Sequence, residues 1–124
     1  MNGYKDIQVY QSSYKASLAV YRMTEVFPKE EKYGVTDQMR RASLSIPLNI
    51  AEGYVKRSSQ SEYRRFLMMA IGSSNEMSVL LEFAKDLQYI SESEYCKAAQ
   101  EYDEISRMLN KYIQSVVKGL NSNI

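Results

Sequence analysis

Histidine and tryptophan are absent from the 124 residues, and cysteine occurs once, at Cys96. Without histidine the chain lacks the usual neutral-pH base, the Glu-x-x-His pair of di-iron bundles and most zinc arrangements. One cysteine excludes an internal disulfide and fits a reducing, cytoplasmic setting, with Cys96 itself expected as inert packing. No run approaches the ~20 apolar residues of a membrane span, and residues 1–6 lack the basic-then-apolar order of an export signal. Neither a membrane nor export is expected. Glycine-rich phosphate loops and Gly-x-Ser-x-Gly elbows are missing too. Catalytic, metal and cofactor sites are therefore not expected, and the chain reads as a non-enzyme.

What is present suits a folded, all-α protein. Hydrophobic residues make up 44% and charged residues 25%, which is too apolar for a disordered chain, and 124 residues are enough for a single domain over 1–124 with its own core. Ile7, Tyr10, Tyr14, Ser17 or Leu18, and Tyr21 recur in steps of three and four, the spacing of one helical face. Pro28 disfavours helical geometry at Phe27, so the first helix spans about 6–27. A second, about 36–52, starts at Thr36 as cap, turns Met39, Ala42 or Ser43, Ile46 and Ile50 inward, and ends at Gly53. Pro47 lies inside it and predicts a kink without a break, because Ile50 continues the apolar stripe. Ser59-Gln60-Ser61-Glu62 and Ser91-Glu92-Ser93-Glu94 both have capping-box spacing and open helices at about 60–87 and 92–118. Gly72, Ser73 and Ser74 form a small-residue cluster suited to close approach of another helix. In the fourth helix Tyr95, Ala98, Tyr102, Ile105, Leu109, Tyr112 and Val116 keep a bundle seam. Short connections between long helices predict an antiparallel up-down-up-down four-helix bundle.

Two features of the middle of the chain go beyond a core. Leu44, Leu48 and Ala51 form a second apolar strip on the second helix, roughly opposite the first and flanked by Arg41, Ser45, Asn49 and Glu52. A monomer would leave it in water, so subunit contact is expected there. Residues 40 to 65 carry Arg40, Arg41, Lys56, Arg57, Arg64 and Arg65 against Glu52 and Glu62 alone, whereas 66 to 124 have five basic and eight acidic side chains. With Tyr54 beside Lys56 and Arg57, phosphate neutralisation and base stacking make RNA or DNA a candidate ligand. The alternative is a protein-interaction scaffold that binds no nucleic acid, with Arg41, Asn49 and Glu52 forming a polar network between subunits.

Gln38-Met39-Arg40-Arg41-Ala42, Ser45-Ile46-Pro47 and Asn49-Ile50-Ala51-Glu52-Gly53 resemble the four-helix bundle proteins of the 23S rRNA-intervening sequence family. The likeness extends through Phe27-Pro28-Lys29-Glu30-Glu31, Ala84-Lys85-Asp86-Leu87 and Arg107-Met108-Leu109-Asn110, over about residues 5 to 117. It implies a ring-like homopentamer without enzymatic activity. The same bundle is similar to the accessory variability determinant of diversity-generating retroelements, which implies nucleic-acid binding beside a reverse transcriptase partner. Two departures stand out: Gln88 replaces the usual glycine before the fourth helix, where a left-handed cap would be strained, and the net charge is only +1, against strongly basic accessory proteins.

Overall fold

The computed structural model describes residues 3–119. Four helices, α1 (Gln8–Thr24), α2 (Val35–Val55), α3 (Gln60–Asp86) and α4 (Glu92–Val117), follow a 3-10 turn at Gly3–Asp6, and a second such turn, Lys29–Glu31, joins α1 to α2. Contacts link α1 to α2, α2 to α3, α3 to α4 and α4 back to α1. Side-chain contacts fix the directions. Tyr4, Tyr54, Tyr63 and Tyr112 follow one another edge to edge at 5.9–6.5 Å, joining the turn before α1, the end of α2, the start of α3 and the end of α4. At the opposite end Arg40 of α2 donates to Thr24 Oγ1 of α1 at 2.8 Å, and Phe27 stacks on Tyr89 at 5.2 Å. Sequential helices therefore run in opposite directions. Met39, Ile46, Ile50, Leu67, Met77, Leu81 and Leu109 are fully buried between them.

Three serine pairs cross the helix interfaces: Ser17 with Ser43 at 3.1 Å, Ser45 with Ser73, and Ser74 with Ser106 at 2.7 Å. Hydroxyls this small let the backbones close up, and their mutual bonds satisfy groups that burial would otherwise penalise. The cluster at Gly72, Ser73 and Ser74 thus brings helices together through its two serines. Gly72 itself faces outward, with open space where a Cβ would stand.

The inward register of α1 differs from the periodic reading. Val9, Ser13, Ala16, Ser17, Val20 and Thr24 are buried, while Tyr14 is 49% and Leu18 43% exposed. Small side chains took the inner face because α2 packs close, and the bulkier tyrosines moved to the rim, where their hydroxyls stay wet. Cys96 is also exposed, which corrects its assignment to packing: it lies off the α4 seam.

Helix ends show what the local chemistry decides. Helix α1 ends at Thr24, after which Glu25 N–H and Phe27 N–H bond only three residues back, to the Arg22 and Thr24 carbonyls at 3.3 and 3.1 Å, and Phe27 turns inward to 7% exposure. Helix α2 begins one residue before Thr36, which is buried in its first turn. The cap comes instead from Glu31, whose carboxylate accepts from Val35 N–H at 3.2 Å and from Tyr89 O–H at 2.6 Å. Helix α2 continues unbroken through Pro47 and past Gly53 to Val55. The box at Ser91 and Glu94 is complete. That at Ser59 is half-formed: its backbone N–H is already bonded to the Lys56 carbonyl at 3.1 Å, and the Glu62 carboxylate binds Arg65 instead.

Two predictions arise here. The two acceptor bonds on Glu31, that from Tyr89 the stronger influence, hold its carboxyl below the ordinary glutamate range. A carboxyl depressed in the folded state contributes stability above its unfolded pKa and loses it as pH falls through the folded value. Wild type is therefore expected to lose more thermal stability than Glu31→Gln between about pH 5 and pH 2, as followed by circular dichroism. Gln88 has φ 64°; its N–H meets the Lys85 carbonyl and the Tyr89 N–H meets that of Ala84, each at 2.9 Å. This is a Schellman cap, in which a Cβ costs about 1 kcal/mol relative to glycine. Gln88→Gly is expected to raise the unfolding free energy by about that much in urea denaturation.

Candidate nucleic-acid interface and association surface

The seven candidate nucleic-acid contacts do not form one patch. Arg40 and Arg41 sit near the start of α2, about 22 Å along the helix from Lys56 at 1.5 Å per residue. Arg40 is occupied within the chain: it donates to Thr24 Oγ1 and to the Tyr21 carbonyl and stacks over the Tyr21 ring at 4.9 Å. It closes the last turn of α1, at the end of α2 away from Lys56. Arg41 pairs with Asp37 at 3.1 Å, one turn away on an exposed face.

Tyr54, Lys56, Arg57, Arg64 and Arg65 lie instead at one end of the bundle, the end held by the tyrosines. Arg57 lies over the Tyr54 ring at 3.9 Å and donates to the Tyr54 carbonyl at 2.9 Å. One face of that ring is therefore already covered. Lys56 reaches Glu52 at 3.7 Å and the Phe66 ring at 4.8 Å. Arg65 binds Glu62 at 3.1 Å, and the pair lowers the glutamate's pKa while raising that of the arginine, through the hydrogen bond first and the charge second. Arg64 is exposed and makes no hydrogen bond or ion pair among the described residues. Behind them the hydroxyls of Tyr63 and Tyr112 bond to each other. Burial, then this bond, pushes the Tyr63 phenol up, so it stays neutral.

The whole bundle is polarised along its axis. At the tyrosine end, residues 3–6, 52–65 and 111–119 carry seven cations against three acids. At the opposite end, residues 25–37 and 82–94 carry eight acids against three cations. Antiparallel helices produce this from an uneven sequence, because the basic end of α2 meets the basic start of α3 while the acidic end of α3 meets the acidic start of α4.

The expected second strip of α2 is exposed: Leu44 is 40% and Leu48 59% accessible, with Ala51 half-buried. Arg41 and Glu52 also face solvent. Ser45 turns toward α3, where it meets Ser73, and the half-buried Asn49 donates back along α2 to the Ser45 carbonyl at 2.8 Å. The strip extends beyond the sequence reading onto α1: Tyr14, Leu18 and Tyr21 line a shallow groove with Leu44 and Pro47. The alternative of Ser17 or Leu18 at one inward position was the signal for this. Only one could face the core, and the other had to face out beside α2.

Among the described residues no group of His, Cys, Asp and Glu is placed to hold a metal, and no helix is long and apolar enough to cross a membrane. A family model described as 23S rRNA-intervening sequence protein matches residues 5–111. Among solved structures, that of a protein with unknown function from the S23 ribosomal protein family of Bacteroides thetaiotaomicron is similar with a TM-score of 0.77 and 21% identity, over 86% of this chain and 95% of that one. At that identity the likeness concerns the fold. No curated protein matches the chain.

Proposed function

The chain belongs to the 23S rRNA-intervening sequence protein family, and from that premise we propose a non-enzymatic, self-associating bundle that binds nucleic acid through its basic end. The observation that carries this reading is the axial separation of charge, which gathers Lys56, Arg57, Arg64 and Arg65 on one end. Exposed ion pairs such as Lys56 with Glu52 contribute little to stability, so these cations can exchange carboxylate for phosphate at small cost. Self-association is supported by Leu44 and Leu48, which leave an apolar strip open on one face of α2. Copies arranged in a ring, five by the likeness to this family's assemblies, would repeat the basic end and raise avidity.

The test is affinity for RNA and DNA against salt, for wild type and the triple variant Lys56→Ala, Arg57→Ala, Arg64→Ala, with molar mass measured alongside. A steep salt slope that the variant makes shallower supports the reading. The internal partners of Arg40, Arg41, Lys56, Arg57 and Arg65 favour a second reading, a protein-interaction scaffold whose cations only maintain solubility. No affinity at low salt selects that scaffold, and a monomer at tens of micromolar removes self-association from both.

A further inference from the structure

Helix α3 carries an apolar surface of its own. Met68 and Met69 are each 45% exposed, Val79 66% and Phe83 53%, and on the helical wheel they surround Gly72 on the face turned from the core. Glycine inside a helix is about 1 kcal/mol worse than alanine. Nothing within the chain requires it here, because a Cβ on Gly72 would meet no atom within 4 Å. Close approach from outside is what a flat spot in an apolar strip provides.

The strip matches the outer face of α2 in level as well as in chemistry. The bond between Ser45 and Ser73 sets a common height for the two antiparallel helices. At 1.5 Å per residue, Arg41 stands about 6 Å from that level toward the acidic end and Glu76 about 4.5 Å. Leu44 and Leu48 bracket the level, as do Met69, Gly72 and Glu76 on α3. Toward the basic end Glu52 lies about 10 Å away and Arg65 about 12 Å. A copy placed alongside without sliding along the axis thus sets Arg41 against Glu76, leucine against methionine and glycine, and Glu52 against Arg65. Glu76 is exposed and has no ion-pair or hydrogen-bond partner among the described residues, and the Arg41 side chain is 79% exposed. Since α3 contacts α2 and α4 but lies diagonally across from α1, its strip and the α1–α2 strip face different directions. Each copy then has two neighbours. A pairing of unlike surfaces closes into a ring when no rise along the axis accompanies the rotation.

We infer that the outer face of α3, centred on Gly72 and Glu76, is the surface that receives Leu44, Leu48 and Arg41 of a second copy. This rests on the self-association proposed above and names its second half. With the bundle axes parallel, the basic ends of all copies lie on one side of the ring.

Molar mass by sedimentation velocity tests it on Arg41→Glu, Glu76→Arg, the double variant and Gly72→Gln, with helical circular dichroism confirming that each folds. Both single charge reversals are expected to fall from the wild-type mass to that of one chain. The double reversal is expected to return to the wild-type mass, and Gly72→Gln to dissociate while remaining helical. An assembled wild type whose mass neither Glu76→Arg nor Gly72→Gln changes overturns the α3 assignment and leaves self-association standing. A wild type that is itself monomeric overturns both.

Discussion

Gly53→Ala is expected to lower the unfolding free energy by about 2 kcal/mol, although alanine is the better helix former. Gly53 is buried where α2 crosses α3, and a Cβ there would stand 2.9 Å from Phe66 Cβ and 3.2 Å from Tyr63 Cδ1. Phe66 Cβ is anchored directly to the α3 backbone, so relief requires the two helices to separate. Overpacking of this kind costs about 3 kcal/mol at the upper end of its usual range, against which the helical gain of alanine returns about 1. The Tyr63 ring, packed between Tyr54 and Tyr112, cannot retreat without disturbing the tyrosines that tie the four helices together. The matched control is Gly72→Ala, expected to gain about 1 kcal/mol in the isolated chain, because its Cβ enters open space. Urea denaturation of both, at a protein concentration where each sediments as a single chain, is expected to give opposite signs for one substitution in two helices. Equal changes would mean that propensity alone governs both sites.

The second large effect concerns ligand affinity. If Lys56, Arg57 and Arg64 each neutralise one phosphate, removing all three is expected to reduce the duplex salt slope by roughly 2.7 and to weaken binding by about two to three decades at 0.1 M salt. Arg57 has a double role, since its loss also uncovers the Tyr54 ring that it stacks upon at 3.9 Å. The single change Arg57→Ala can therefore lose electrostatic affinity and gain stacking on single strands, which separates duplex from single-stranded ligands in a filter-binding titration. Stability should fall by only about 1–2 kcal/mol in the triple variant, from the exposed ring contacts of Arg57 on Tyr54 and Lys56 on Phe66, because Lys56 with Glu52 is an exposed pair and Arg64 has no partner to lose. A fall in affinity accompanied by loss of the helical circular dichroism signal would point to unfolding, and a constant slope would exclude these residues as phosphate contacts.

Helix positions were legible wherever the local signal was redundant. Ser91 and Glu94 satisfy each other's backbone across one turn, so the start of α4 follows from four consecutive residues, and the α4 seam from an alternation of steps that holds from Ala98 to Leu109 and then errs by one residue, Ile113 being buried where Tyr112 was expected and Tyr112 half-buried at the rim. Ser59 had the same spacing, yet its box is half-formed because Arg65, one turn on, offers Glu62 a charged partner. On α1 the periodicity located the helix and misjudged its rotation, since tyrosine is equally at home in a core and at its rim. Packing against Ser43 chose the smaller residues. The exposed apolar strip was legible on α2, where Leu44 and Leu48 had no place in the core, and invisible on α3, because Met68, Val79 and Phe83 read alone as ordinary scatter around a mostly apolar helix. Gly72 became informative only when the space around it was known.

By itself the sequence determined the number and type of elements, the absence of histidine-based chemistry, and the two exposed leucines of α2. These depend on composition and on periods of three and four residues, which any segment carries within itself. Tertiary structure decided which cations lie together. Arg40 and Arg41 are close to Lys56 in the chain and at the far end of α2 in space, whereas Lys5, Lys111 and Lys118 join the basic end from distant parts of the sequence. A helix separates neighbours by 1.5 Å per residue along its axis, and antiparallel pairing brings remote segments to one level. The charge pattern that a ligand meets is therefore a property of the fold.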